Sequence, residues 1–112
     1  MHFTDVFHWL IVKFHHHVQI FLIPNLTDIC QCSFAECTSL EDIYIPSSVK
    51  TIGESSFFGL SLIKELDIPP NVTYIGKNAF SECSSLKEIL IQSSDIKIDK
   101  DAFCKCKSLE KL

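Results

Sequence analysis

The sequence predicts an α/β solenoid: short parallel strands stacked coil on coil and joined by short helical or 3-10 turns, in about four repeats behind a degenerate N-terminal coil. Three observations carry this expectation. Segments recur at a spacing of 23 residues, and a fixed period between about 20 and 50 residues marks a repeat architecture. One column of that register holds phenylalanine four times in succession, at Phe34, Phe57, Phe80 and Phe103. The residues ahead of each turn alternate between apolar and polar, the period of a strand with one buried face.

The most regular elements are Ile45-Pro46-Ser47-Ser48-Val49-Lys50-Thr51-Ile52-Gly53 and Ile68-Pro69-Pro70-Asn71-Val72-Thr73-Tyr74-Ile75-Gly76, which match column by column. Further apolar columns are Leu40, Ile63, Leu86 and Leu109, then Ile43, Leu66, Ile89 and Leu112, and on the other side Ile29, Ile52, Ile75 and Ile98. Carried backwards, the register lands on Phe3, Val6, Ile11, Phe14, His17, Ile20 and Leu22, all apolar except His17. Residues 1–22 are therefore expected to be a degenerate capping coil with Ile20-Phe21-Leu22 as its strand. A terminal coil cannot bury both faces alone, so Trp9, Leu10 and Val12 are expected to cover it. The repeats then run 23–44, 45–67, 68–90 and 91–112.

Each coil reads as strand, turn, short strand and helical turn. In Leu86–Ile91 the residues Ile89 and Ile91 point inward and Glu88 and Leu90 outward. Proline stops the strand. Val72–Ile75 forms a second extended piece, and Gly76 is expected to permit the bend after it. Phe80, Cys83 and Leu86 lie three apart, the spacing of a helical or 3-10 turn.

Composition limits what such a chain does. At 112 residues with 46% hydrophobic content it suffices for one core. A net charge of -4 has the wrong sign for gripping phosphate backbones, so no nucleic-acid partner is expected. No stretch reaches the 18 uninterrupted apolar residues of a membrane span, because Lys13 and His15 to His17 interrupt the best candidate. Val6–Phe14 makes a poor signal peptide, with Asp5 where a basic residue belongs, Lys13 inside the run and no Ala-x-Ala site.

The motif Leu-x-x-Ile-x-Ile-Pro-x-x-Val-x-x-Ile-Gly-x-x-Ala-Phe-x-x-Cys, followed almost position for position over residues 68–91, resembles the BspA-like leucine-rich repeats. The likeness covers residues 23–112, weakens at Asp95, where the family has Val, and is only register-deep in residues 1–22. The resemblance implies a leucine-rich-repeat solenoid and a cell-surface or secreted protein acting in adhesion to host matrix proteins or other cells. The alternative location is cytoplasmic.

The cysteines, histidines and acceptor sequences each have a structural and a functional reading. Cys37, Cys83 and Cys106 share a column with Leu60, a place for a small buried apolar group. Cys30, Cys32 and Cys104 fall in columns otherwise holding Gly53, Ser55 and Ser81 and are expected at the surface. A zinc site from Cys30, Cys32, Cys104 and Cys106 would have to bridge three coils, roughly 14 Å at the strand spacing, against metal–sulfur bonds of about 2.3 Å. The run His15-His16-His17 presents adjacent rings in different directions and does not chelate one ion. No metal and no cofactor is expected. Asn25-Leu26-Thr27 and Asn71-Val72-Thr73 are glycosylation acceptor sequences, and asparagine after proline is also ordinary turn chemistry.

Nothing in the chain assembles a phosphate loop, a nucleophile elbow or a carboxylate–histidine set, so the sequence is expected to be non-catalytic. The outward residues of the main sheet are the candidate binding surface, since in solenoids the concave face binds partners. They form two rows, an acidic one with Asp42, Glu65 and Glu88 and a mixed one with Phe21, Tyr44, Asp67 and Leu90. The expected function is protein binding through this concave face, to a basic, mixed or matrix partner. The alternative is a structural fragment of a longer array, or a scaffold with no adhesive role. Leu112 falls at the first inward position of a last strand, so the open C-terminal coil is also a candidate edge for self-association.

Overall fold

The computed structural model describes residues 9–14, 17–22 and 25–110. Among the described residues nine strands follow one another: β1 Trp9–Phe14, β2 His17–Leu22, β3 Asp28–Ile29, β4 Asp42–Tyr44, β5 Thr51–Ile52, β6 Glu65–Ile68, β7 Tyr74–Ile75, β8 Glu88–Ile91 and β9 Lys97–Ile98. Every parallel pairing obeys the 23-residue register, as in Ile20 with Ile43, Leu66 with Ile89, and Ile29 with Ile52. The short strands β3, β5, β7 and β9 form one continuous four-stranded parallel sheet.

The core lies between this sheet and the longer strands. Ile52, Phe57, Leu60, Ile68, Val72, Ile75 and Leu86 are all fully buried. The phenylalanine column is a stack of nearly parallel rings, with centroids 5.3 Å apart from Phe34 to Phe57, 5.2 Å from Phe57 to Phe80 and 5.4 Å from Phe80 to Phe103. Identical rings at a fixed register bury one another, so a single residue type repeated at that column supplies the spine of the fold.

Three expectations are corrected. First, the turn segments are not helical; no helix occurs among the described residues. Two columns are left-handed: Cys32, Ser55, Asn78 and Asp101 at φ from 56 to 62°, and Glu36, Gly59, Glu82 and Lys105 at φ from 59 to 77°. A right-handed helix cannot run through residues in this conformation. The donors a helix would use go elsewhere: Phe34 N–H donates to Ser56 O at 2.7 Å and Glu36 N–H to Phe58 O at 2.7 Å, both in the next coil. The alternate residues make local turns, Ala35 N–H to Cys32 O and Cys37 N–H to Phe34 O.

Second, the N-terminal element is a hairpin rather than a coil. β2 takes the expected strand position beside β4, but β1 pairs antiparallel with it, Trp9 opposite Leu22 and Phe14 opposite His17. An antiparallel strand needs only a tight connection, and it occupies the edge of β2 that a preceding coil would otherwise have to cover.

Third, Gly76 does not serve the turn after it through a positive φ. A Cβ there would lie 2.8 Å from Glu54 N and 3.1 Å from Ile52 O, and one at Gly53 would lie 2.6 Å from Ile29 O. Glycine at this column lets one coil's backbone approach the next, where Gly53 N–H donates to Ile29 O and Gly76 N–H to Ile52 O, both at 2.8 Å.

Candidate functional site

The longer strands do not form one continuous sheet. β1, β2 and β4 make one unit and β6 and β8 another. In the β6–β8 pair, Gln92 N–H donates to Ile68 O at 3.1 Å. The equivalent residue beside β4 is Pro69, which has no N–H to give Ile45 O, so the rung at that end is missing. The acidic row is accordingly not the even ladder of three carboxylates that the register suggests. Glu65 and Glu88 are ladder partners, whereas Asp42 belongs to the other sheet and pairs with Gln19.

A groove of about 630 Å³ lies over this division. Its walls hold Asp42, Tyr44, Glu65, Asp67, Glu88 and Leu90, six of the seven residues singled out from the sequence. Phe21 is paired with Tyr44 in the β2–β4 ladder. Tyr44 is 52% exposed and Leu90 59% exposed. Asp67 accepts a 2.6 Å hydrogen bond from Gln92 Nε2 of the next coil, which fixes its carboxylate at the groove wall. Sequence reasoning missed Gln92, Ile45, Ser47, Pro69 and Pro70 as lining residues. The two Ile-Pro turns were the available signal, since proline ends a strand and leaves its neighbour's carbonyl without a rung.

The opposite sheet carries a second polar arrangement. Tyr74 Oη donates to Asp99 Oδ2 at 2.9 Å, and Lys100 N–H donates to Asp99 Oδ1 at 2.8 Å. The Lys100 amide first and the Tyr74 hydroxyl second hold the Asp99 carboxyl below the usual carboxylate range, and the same contact holds the Tyr74 phenol above its ordinary value.

All six cysteines are free thiols. Cys30 and Cys32 are exposed, as expected, but Cys104 is half-buried. Of the column expected to be buried, only Cys83 is; Cys37 and Cys106 are half-buried. Burial pushes the Cys37 thiol up. Cys83 Sγ–H donates to Phe57 O at 3.4 Å and Cys106 Sγ–H to Phe80 O at 3.1 Å. The neighbouring Cys83 holds the Cys106 thiol below its ordinary value, and Cys106 and burial push Cys83 up.

Among the described residues no group of three or more His, Cys, Asp or Glu side chains is placed to hold a metal ion. His2, His8, His15 and His16 lie outside the described residues. No helix of the described residues is long and apolar enough to cross a membrane. Asn25 is exposed at φ 74°. Asn71 is exposed and donates Nδ2–H to Ser47 O of the preceding coil at 2.7 Å, so this acceptor amide has a structural task of its own.

Comparison with known proteins agrees with the architecture. The sequence model described as "BspA type Leucine rich repeat region" matches residues 14–112 in six copies. Among solved structures, a leucine rich cell surface protein from Faecalibacterium prausnitzii superposes with a TM-score of 0.67 at 28% identity, over 83% of this chain and 28% of that one. The pneumococcal vaccine antigen PcpA superposes with a TM-score of 0.64 at 24% identity, over 83% of this chain and 29% of that one, a likeness of fold alone. The chain thus spans less than a third of the length of either structure. No curated protein matches.

Proposed function

Because the chain belongs to the BspA type leucine-rich repeat family, we propose that it is a non-catalytic protein-binding segment of a cell-surface solenoid, and that it engages its partner in the groove between β4 and β6. The observation that carries this reading is one groove in which exposed Tyr44 and Leu90 flank the carboxylates of Asp42, Glu65, Asp67 and Glu88. Large apolar side chains exposed beside fixed charges are the composition of a protein-recognition surface: the aromatic and aliphatic groups supply buried area, and the charges set orientation and encounter rate. The net charge of -4 favours a basic or mixed partner surface. The cell-surface location is supported by the description of the Faecalibacterium structure at 28% identity. Adhesion to a matrix protein or to another cell is the specific role this reading proposes.

The test is binding of the immobilised chain to a panel of purified matrix and cell-surface proteins. Any partner found is then titrated against Tyr44→Ala/Leu90→Ala and against the exposed control Lys50→Ala. The double variant is expected to lose at least tenfold in affinity while the control binds as the parent does. Equal affinity for the double variant and the parent would remove the groove from the interface.

A further inference from the structure

The cysteine column contains one pair in consecutive coils. Cys37 is separated from the next cysteine by Leu60, whereas Cys83 and Cys106 occupy the same position one register apart. Their side chains run in parallel: Cys83 Sγ lies 3.4 Å from Phe57 O and Cys106 Sγ lies 3.1 Å from Phe80 O, equivalent carbonyls of the coil before each. Three residues ahead of each cysteine, the rings of Phe80 and Phe103 are 5.4 Å apart. Equivalent residues of neighbouring strands lie about 4.8 Å apart, inside the roughly 4.4–6.8 Å that separates the Cα atoms of disulfide-bonded cysteines.

We propose that Cys83 and Cys106 are a covalent redox site, a dithiol that closes into an inter-coil disulfide by exchange with a small disulfide of the glutathione type. The two thiols have unequal access. Cys106 is half-buried, while Cys83 is 1% exposed and lies in the core. Cys106 is also the thiol of the pair held below its ordinary value, so it is the one that ionises first. The Cys106 thiolate attacks one sulfur of the external disulfide, forming a mixed disulfide and releasing one thiolate. Cys83 then passes its proton to the released thiolate, and its sulfur attacks the Cys106 sulfur of the mixed disulfide, releasing the second thiolate. The protein dithiol loses two electrons and the external disulfide becomes two thiols. The bond formed would lock the last two described coils together.

The experiment treats the fully reduced chain with glutathione disulfide at neutral pH, quenches with acid, alkylates the remaining thiols with N-ethylmaleimide, and maps the peptides by mass. The expected product has lost two of its six thiols, carries no glutathione on Cys106, and links Cys83 to Cys106; it forms equally in Cys104→Ser. In Cys83→Ala the reaction stops at the mixed disulfide on Cys106. With N-ethylmaleimide alone at pH 7, Cys106 is expected to react at least about tenfold faster than Cys37, whose thiol is held up by burial. A parent chain in which Cys83 stays alkylatable while Cys30 or Cys32 takes up glutathione would overturn the proposal. A link between any other pair would overturn it as well. The parent map decides the matter even where Cys83→Ala folds poorly.

Discussion

Replacing Phe80 by alanine removes the ring that sits between two others. Phe80 is 1% exposed and stacks on Phe57 at 5.2 Å and on Phe103 at 5.4 Å. Truncating a buried phenylalanine costs about 3–5 kcal/mol through lost transfer energy and the cavity left behind. The upper half of that range is expected here, because each aromatic contact adds about 0.5–1.5 kcal/mol beyond its area and this ring has two. Phe103 is half-buried with one stacked partner among the described residues, so Phe103→Ala should cost roughly half as much by the same terms. Lys77 is exposed, and Lys77→Ala should stay within about 0.5 kcal/mol. Urea unfolding followed by far-UV circular dichroism measures all three. A domain of this size holds only about 5–15 kcal/mol, so Phe80→Ala should shift the midpoint severely. A loss at Phe80 no larger than at Lys77 would refute the stacked register on which the whole account of the core depends.

Three further outcomes follow from other parts of the structure. Gly53→Ala should destabilise by more than about 2 kcal/mol, since its Cβ would meet the Ile29 carbonyl oxygen at 2.6 Å and backbone must move; urea titration reads this directly. Ser56 is fully buried in a column shared with Ala79 and Ala102, and its hydroxyl has no hydrogen-bond partner. Ser56→Ala should therefore raise stability by about 1 kcal/mol in the same assay, because it removes a desolvated polar group. The Asp99 carboxyl is held below its unfolded value, so its contribution is present above about pH 4 and is lost as pH falls through the lower folded value. Asp99→Asn should flatten that part of the acid unfolding profile and return the Tyr74 phenol toward its ordinary value, as read by ultraviolet titration.

The period carried most of the fold. Phe34 through Phe103, the inward isoleucines and the pairing of Ile20 with Ile43 were all legible, because a fixed register turns a column of like residues into a contact in space. The helical turns were misread for a specific reason. A spacing of three at Phe80, Cys83 and Leu86 suits a helix, but the left-handed residues of the two columns before and within this segment are mostly Cys, Ser, Asn, Asp, Glu and Lys rather than glycine, so nothing in their identity announces the break. Gly76 misled in the opposite direction, its role being close approach rather than a positive φ. The N-terminal hairpin was hidden because an apolar column continues through Ile11 and Phe14 whether the strand runs parallel or antiparallel. At the groove, the alternation of β6 and β8 identified the outward residues Glu65, Asp67, Glu88 and Leu90. The division between β4 and β6 depends on hydrogen bonds that columns of side chains do not encode, although Pro69 marks where one of them is lost.

The proposal that the groove binds a basic partner surface meets its most direct test in amide chemical-shift mapping of the isotopically labelled chain with a short lysine-rich peptide at low salt. The molecule offers the peptide other exposed carboxylates, among them Asp28, Glu54, Glu82 and Asp101, so binding must choose. The account predicts shifts concentrated at Asp42, Tyr44, Glu65, Asp67 and Leu90, shrinking as ionic strength rises past about 0.1 M. Shifts spread evenly over the other carboxylates, or confined to the β3–β5–β7–β9 side, would contradict it.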